Sequence, residues 1–195
     1  VNLLIELGTT IPRDSTPQED GTVPLMTNLE QTLADLFEQG IILDAVVAQN
    51  QTQRSEMWGR REAAGEITMH RQPIVNSDIA VPLDRVTEFL DQMELVLPKL
   101  DAGAETIIVS HLGDGNVHYA VWPKSQDPEV HSAIMEKVED VTLSLGGSFS
   151  AEHGIGKTKL PSMQRRKNKA ALVAMRAIKS ALDPNNILNP GKVIP

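Results

Sequence analysis

The segment HLGDGNVH, His111 to His118, places two imidazoles on either side of Asp114-Gly115. Asp-Gly is among the strongest short hairpin signals. Thr106–Ser110 (TIIVS) precedes it and Val117–Trp122 (VHYAVW) follows, both rich in β-branched or aromatic residues. A two-residue turn at Asp114-Gly115 sets Gly113 opposite Asn116, Leu112 opposite Val117 and His111 opposite His118. Directly opposed residues share a sheet face, with Cβ atoms roughly 4.5–5.5 Å apart. Two imidazoles so placed can grip one metal ion, since His is the commonest metal ligand. They can equally stack as a polar cross-strand pair. Both readings stand at this point.

SFSAEHGIGKTK, Ser148 to Lys159, is the second stretch with chemical content. Gly146-Gly147 ends a helical run, Ser148–Ala151 reads as a short strand, and Glu152-His153-Gly154 follows. Glu152 can complete a two-His-one-carboxylate site with open positions for substrate or water. His153 is then left free as a base. The plain alternative is a surface Glu and a capping His before a helix. A third stretch, MWGRREAAGE, sets Arg60 and Arg61 beside Trp58. A guanidinium backed by an aromatic clamps a carboxylate, because its fork matches the two oxygens. Against that stands a solvated helix face, with Glu56, Glu62 and Glu66 as local partners.

The elements that must position these residues read as follows. Val1–Leu7 is a strand, residues 8–21 a solvated loop, and Leu25–Gln39 a helix with Leu25, Leu29, Leu33 and Phe37 at i+4. Thr27 and Glu30 have capping-box spacing, and Gly40 stops the helix. Leu43–Ala48 is a second strand and Asn50–Ile67 a helix carrying Trp58 and Arg61. Pro73–Val81 is a strand. A helix opens at Asp84 with Val86, Phe89, Leu90, Met93 and Leu97 on one face. The hairpin comes next, then a helix over Asp127–Leu145. Alternating strands and helices around an obligatory antiparallel pair predict an α+β fold: a ferredoxin-like antiparallel sheet with helices packed on one face. Residues 1–160 form this core. Residues 161–195 add a C-terminal helix, Ala170–Leu182, and an extended, turn-rich tail. The basic run Arg165, Arg166, Lys167, Lys169 reads as a solvated face, with a docking surface for an acidic partner as the alternative.

Composition narrows the function classes. The chain has 195 residues, 41% hydrophobic but only 3% aromatic, so aliphatic residues and seven Met must build its core. A net charge of −8 argues against nucleic acid and anionic membrane surfaces. With no Cys there is no disulfide framework, thiolate metal site or thiol nucleophile. No apolar run approaches the length of a membrane span, and no signal peptide is visible. The start at Val1, directly in an apolar run, suggests a domain of a longer polypeptide. No G-x-G-x-x-G follows a strand, so a hydride acceptor, if one is used, must be bound elsewhere.

Taken together, HLGDGNVH, SAEHGIGKTK and the closing LDPNNILNPGK resemble the C-terminal domain of FAD-linked oxidases of the vanillyl-alcohol-oxidase type. Within that family they are most similar to the D-2-hydroxyacid dehydrogenases, and the resemblance runs from Leu3 to Lys192. It implies oxidation of a D-2-hydroxy acid to the 2-oxo acid, D-2-hydroxyglutarate first and D-lactate or glycolate as alternatives. It implies FAD, bound mainly by an N-terminal domain absent from this chain, with Asn189 of the tail as a cofactor contact. It implies a divalent metal, Zn or Mn, on His111, His118 and Glu152, with His153 as the base. The family pattern W-x-x-R-E lands on Trp58, Arg61 and Glu62, so Arg61 is the candidate substrate clamp. Asn76 and Asn116 are further substrate-binding candidates; Asn116 can donate to substrate or orient a ligand.

Two departures bear on the substrate. The hydroxyglutarate enzymes carry a Lys two residues before a strand Asp, where this chain has Asn76-Ser77-Asp78. Four residues after the clamp Arg they often carry Thr, where this chain has Gly65. Both changes thin out recognition of a distal carboxylate. The implied partners are a small 2-hydroxy acid, the N-terminal FAD domain and, in one assembly, a second copy as homodimer. The implied compartment is a bacterial-type cytoplasm or the mitochondrial matrix, without secretion. The isolated chain is expected to be inert as a dehydrogenase. Two other classes compete: a metal- or partner-binding module without activity, and a metal-dependent hydrolase using His153 on a metal-bound water.

Overall fold

The pairing register of three strands decides which face of the sheet carries the imidazoles. The computed structural model describes the whole chain, Val1 to Pro195. Strands β1 (Val75–Ala80), β2 (Glu105–His111) and β3 (Asn116–Trp122) form an antiparallel sheet in the order β1-β3-β2. Across β1 and β3, Val75 faces Val121, Ser77 faces Tyr119 and Ile79 faces Val117. All six are buried. Helix α4 (Val86–Leu100), entered through a 3-10 turn at Leu83–Arg85, brings Val86, Phe89, Met93 and Leu97 to this core. Helix α5 (Pro128–Ser144) brings Ile134, Val138 and Val141. Phe89 meets Tyr119 edge-on, ring centres 5.5 Å apart, an arrangement that pairs ring edge with ring face. The Asp127 side chain caps α5 by accepting from the Glu129 N–H.

Side chains alternate in a strand, so the other face carries Asn76 and Asp78 from β1, Asn116 and His118 from β3, and Val109 and His111 from β2. That face holds the chemistry. Beyond α5, residues 147–151 run beside β1. Ser148 and Ala80 exchange backbone hydrogen bonds of 2.7 and 2.9 Å, and the Ala151 N–H donates to Asp78 O. Only Gly fits at 147, where a Cβ would lie 2.3 Å from the Ala80 carbonyl. The element sequence is thus βαββα followed by a bridged segment, as in a ferredoxin-like unit. The α+β expectation holds. The strand expected at Ser148–Ala151 is reduced to one bridge, because the chain bends there to carry Glu152 and His153 over the sheet face.

Two units divide the chain, Val1–Glu66 and Ile67–Pro195. The first holds α1 (Pro12–Ser15), α2 (Pro24–Glu38) and most of α3 (Gln51–His70). The strands expected at Val1–Leu7 and Leu43–Ala48 do not form. Both are apolar runs, yet neither has a partner strand to complete a ladder, and Leu3, Ile5, Leu43 and Val46 stay exposed. Strand preference is largely a matter of such neighbours. Helix α2 starts at Pro24, ahead of the expected capping box. Pro occupies its first position and Thr27 Oγ1 donates back to Val23 O.

The region after residue 160 holds two helices, α6 (Leu160–Arg166) and α7 (Lys169–Leu182). The basic run is not a solvated face at its first two residues. Arg165 and Arg166 both reach Glu139 of α5, whose side chain is 2% exposed. Arg166 also pairs with Asp140 at 2.8 Å and Arg165 with Glu136 at 3.7 Å. A carboxylate taken out of water needs such partners, and α6 supplies them. No helix is long and apolar enough to cross a membrane.

Candidate metal and proton-transfer site

The hairpin register differs from the sequence reading in a way that leaves the site intact. His111 pairs with Asn116 and Val109 with His118, so four residues, Leu112 to Gly115, form the loop. The Asp114 side chain accepts from the Asn116 N–H at 3.0 Å, and the Asp114 N–H donates to His111 O. This local side-chain hydrogen bond tightens the turn beyond two residues. His111 and His118 are therefore diagonal neighbours, not direct partners. A slip of two residues keeps every side chain on its face, whereas a slip of one would reverse it. Their rings meet edge-on with centres 5.5 Å apart.

Glu152 closes the group. Its Oε1 lies 3.3 Å from His111 Nε2 and its Oε2 lies 3.6 Å from His118 Nε2. One donor atom from each of the three residues falls within 4.8 Å of the others. Bonds of about 2.0–2.2 Å to one ion would set the donors about 3.3–3.6 Å apart in a tetrahedral site, so binding would draw this group slightly closer. Two imidazoles and one carboxylate are a mixed N/O donor set that suits Zn²⁺ or Mn²⁺ and leaves coordination positions open. Burial pushes the His118 pKa down, against the opposing pull of Glu152 and Asp78. That shift favours the neutral ring, the form that binds a metal.

Beneath these three residues sits Asp78, which the sequence reading placed in a strand without a role at the site. Its side chain is 7% exposed. Oδ1 accepts from Asn116 Nδ2 at 3.0 Å and lies 3.7 Å from His118 Nδ1. Oδ2 accepts from the His153 N–H at 3.0 Å and from Lys159 Nζ at 3.3 Å, and it lies 3.1 Å from His153 Nδ1. Burial on its own raises the carboxyl pKa. The His153 N–H, the Asn116 amide and the Lys159 ammonium outweigh that and bring it down to about 2. Lys159 also donates to Ser150 Oγ at 2.8 Å, and Ser150 Oγ donates to His153 O at 2.6 Å. The available signal for Asp78 was an acidic residue inside the apolar run VNSDIAV. A carboxylate in a half-buried strand requires partners.

The remaining candidates lie on several elements. Asn116 is 3% exposed and its amide is engaged with Asp78 and with Ile79 O, the orienting arrangement of the two considered. Asn76 is exposed on the same face of β1 as Asp78. Asn189 is exposed in the tail with φ 46°. His153 is 68% exposed at its side chain and its ring lies 6.0 Å from that of His118. Arg61 stands on α3 in the first unit. On the same helix Trp58 does help hold a carboxylate, that of Glu6, but the guanidinium partner is Arg54, at 2.6 Å. Arg54 first and then Trp58 lower the Glu6 pKa.

Against this geometry, the model of the family "FAD linked oxidases, C-terminal domain" matches residues 21–193. The chain belongs to this family, the FAD-linked oxidases, through its C-terminal domain. It is 33% identical over 172 residues to the D-2-hydroxyglutarate dehydrogenase of Stutzerimonas stutzeri (strain A1501), covering 84% of this chain and 37% of that protein. It is 32% identical over 168 residues to the mitochondrial D-2-hydroxyglutarate dehydrogenase of Danio rerio, covering 86% of this chain and 31% of that protein. A probable mitochondrial D-2-hydroxyglutarate dehydrogenase of Oryza sativa subsp. indica is 32% identical over 167 residues, covering 86% of this chain and 29% of that protein. The chain thus spans about a third of the length of these relatives. FAD as the redox group follows from the family.

Proposed function

We propose that this chain is the substrate- and metal-binding part of a flavin-dependent D-2-hydroxyacid dehydrogenase, with D-2-hydroxyglutarate as first substrate. One observation carries the reading: His111, His118 and Glu152 converge on the open sheet face, with His153 beside them on the Asp78 carboxylate. The relatives that bear the name D-2-hydroxyglutarate dehydrogenase support the choice of substrate.

Oxidation of a 2-hydroxy acid removes a hydride from C2 and a proton from the hydroxyl. His111, His118 and Glu152 would hold the divalent ion, Zn²⁺ or Mn²⁺. When bound, that ion lowers the hydroxyl pKa and holds substrate oxygens, and FAD bound by a preceding domain supplies the hydride acceptor. His153 takes the hydroxyl proton at Nε2, because Nδ1 faces Asp78. Arg61 anchors a substrate carboxylate through its planar fork. Asn116 keeps Asp78 in place, and Asn189 contributes to the cofactor. The compartment is a bacterial cytoplasm or the mitochondrial matrix, and the assembly a homodimer.

A D-lactate or glycolate substrate is the second reading. It is favoured by Asn76, which puts a neutral amide where recognition of a distal carboxylate calls for a cation. Two measurements test the proposal. Titrated Zn²⁺ or Mn²⁺ should bind the chain with one site, and binding should be lost in the His111→Ala, His118→Ala double variant. Equal binding by both proteins refutes the metal centre. In the intact enzyme, with its flavin domain present, kcat/KM across D-2-hydroxyglutarate, D-lactate and glycolate decides the substrate.

A further inference from the structure

We propose that Asp78 is the positioning residue of this site, one carboxylate that orients both a metal-ligand imidazole, His118, and the proton-accepting imidazole, His153. The inference rests on the metal and base roles proposed above and adds the group that couples them.

The two oxygens of Asp78 divide the work. Oδ1 faces His118 Nδ1 at 3.7 Å, while His118 Nε2 faces Glu152. Oδ2 faces His153 Nδ1 at 3.1 Å. In both rings Nδ1 is directed inward to Asp78, so Nε2 is the nitrogen left for the site. At 3.1 Å the carboxylate is close enough to hold the proton on His153 Nδ1 and leave Nε2 bare. At 3.7 Å from His118 Nδ1 it favours the same form by its charge, without a direct hydrogen bond. For His118 the bare Nε2 is a metal donor. For His153 it is a proton acceptor.

The surroundings hold the carboxylate rather than the reverse. Asn116 commits its Nδ2 to Asp78 Oδ1 and Ile79 O although its own Oδ1 is buried without a partner. Leaving a buried acceptor unpaired is costly. The amide keeps this orientation because the opposite one would set two oxygens against each other. Lys159 and the His153 N–H fix Oδ2 from the other side. The His153 main chain is held by the same oxygen as its ring, so ring and backbone are located together. A carboxylate serving only to join the 148–159 segment to β1 would need the N–H and the ammonium. It would not need both Nδ1 atoms.

Imidazole ¹⁵N chemical shifts of the 195-residue chain, at a pH where the rings are neutral, report which nitrogen carries the proton. His153→Ala assigns the His153 signals. Wild-type His153 should carry its proton on Nδ1. In Asp78→Asn it should move toward the Nε2–H form that an unconstrained histidine prefers, and Zn²⁺ affinity measured by calorimetry should fall by about 10–100-fold. A wild-type His153 protonated on Nε2 overturns the proposal without any variant. An Asp78→Asn protein that shifts only one readout, or neither, overturns the shared role. Where Asp78→Asn does not fold by circular dichroism, Asn116→Ala replaces it. That variant removes the anchor of Oδ1, the oxygen facing His118, so Zn²⁺ affinity should fall while the His153 tautomer, set by Oδ2, holds; unchanged affinity overturns the proposal. A wild-type chain that takes up no Zn²⁺ refutes the metal centre itself. The tautomer of His153, read without metal, still decides whether Asp78 orients the base.

Discussion

Gly115 lies with its backbone directly against the carbonyl of Val81: a Cβ on Gly115 would stand 2.1 Å from Val81 O. The Val81 N–H donates to Gly115 O at 3.1 Å, which extends the β1–β3 pairing to the tip of the hairpin. Gly115 also has φ +74°, where a side chain is strained in any case. Gly115→Ala should therefore destabilise the chain by about 2–5 kcal/mol, the sum of left-handed strain and overpacking. Gly113, in the same loop, has open space around it. Gly113→Ala should stay within about 0.5 kcal/mol of wild type. Thermal melts of the pair check this; equal losses would contradict the Val81 contact.

The Glu139 cluster predicts an asymmetry. Replacing Arg165 and Arg166 together by Met leaves a buried carboxylate without a countercharge. That should cost about 3–5 kcal/mol. Glu139→Leu leaves two guanidiniums whose side chains are 32% and 20% exposed, with Glu136 and Asp140 still beside them. Those can turn to water, so the loss should be about 0–2 kcal/mol. Denaturant unfolding of both variants tests the order; a larger loss for Glu139→Leu would rule the argument out.

Asp183 links α7 to the tail and predicts a pH dependence. Lys179 pairs with it, and it accepts from the Ile187 and Leu188 N–H groups at 2.9 Å each. Lys179 first, against a smaller effect of burial and with help from the Leu188 and Ile187 N–H groups, holds its pKa below the usual range. A lowered folded pKa contributes stability that is complete above the ordinary aspartate value of about 3.9. It is lost as pH falls through the lower folded value. Asp183→Asn should therefore melt below wild type at neutral pH, and the gap should close in acid. A gap independent of pH would show that the charge of Asp183 does not matter.

In the intact enzyme, with its flavin domain present, His153 and Arg61 should leave different kinetic signatures. Loss of an acid–base group typically costs about 10²–10⁴-fold, so His153→Ala should slow flavin reduction by that factor in stopped flow. A carboxylate clamp acts in ground and transition state alike, so Arg61→Ala should chiefly raise KM. Wild-type flavin reduction in His153→Ala would remove His153 as the base. If Arg61→Ala leaves KM unchanged for every 2-hydroxy acid tried, Arg54 becomes the next clamp to test, because it already holds a carboxylate beside Trp58.

The amino-acid sequence alone determined the features with short-range causes. Period-2 alternation and Asp114-Gly115 specified the hairpin and put His111 and His118 on one face. Helical spacing specified α4 and α5 to within a few residues. The motif SAEHGIGK put forward Glu152 and His153 as candidates beside the hairpin. Tertiary structure decided the pairing of His111 with Asn116, where β3 and Gly115 are also seated against β1 and Val81. It decided that Val1–Leu7 and Leu43–Ala48 are not strands, since a strand exists only beside a partner. It decided that Arg165 and Arg166 pair with the buried Glu139. Above all it placed the Asp78 carboxylate among His118, His153, Asn116 and Lys159. Its partner His153 is 75 residues away in sequence. No local pattern reports which distant groups will surround a carboxylate once folding has removed it from water.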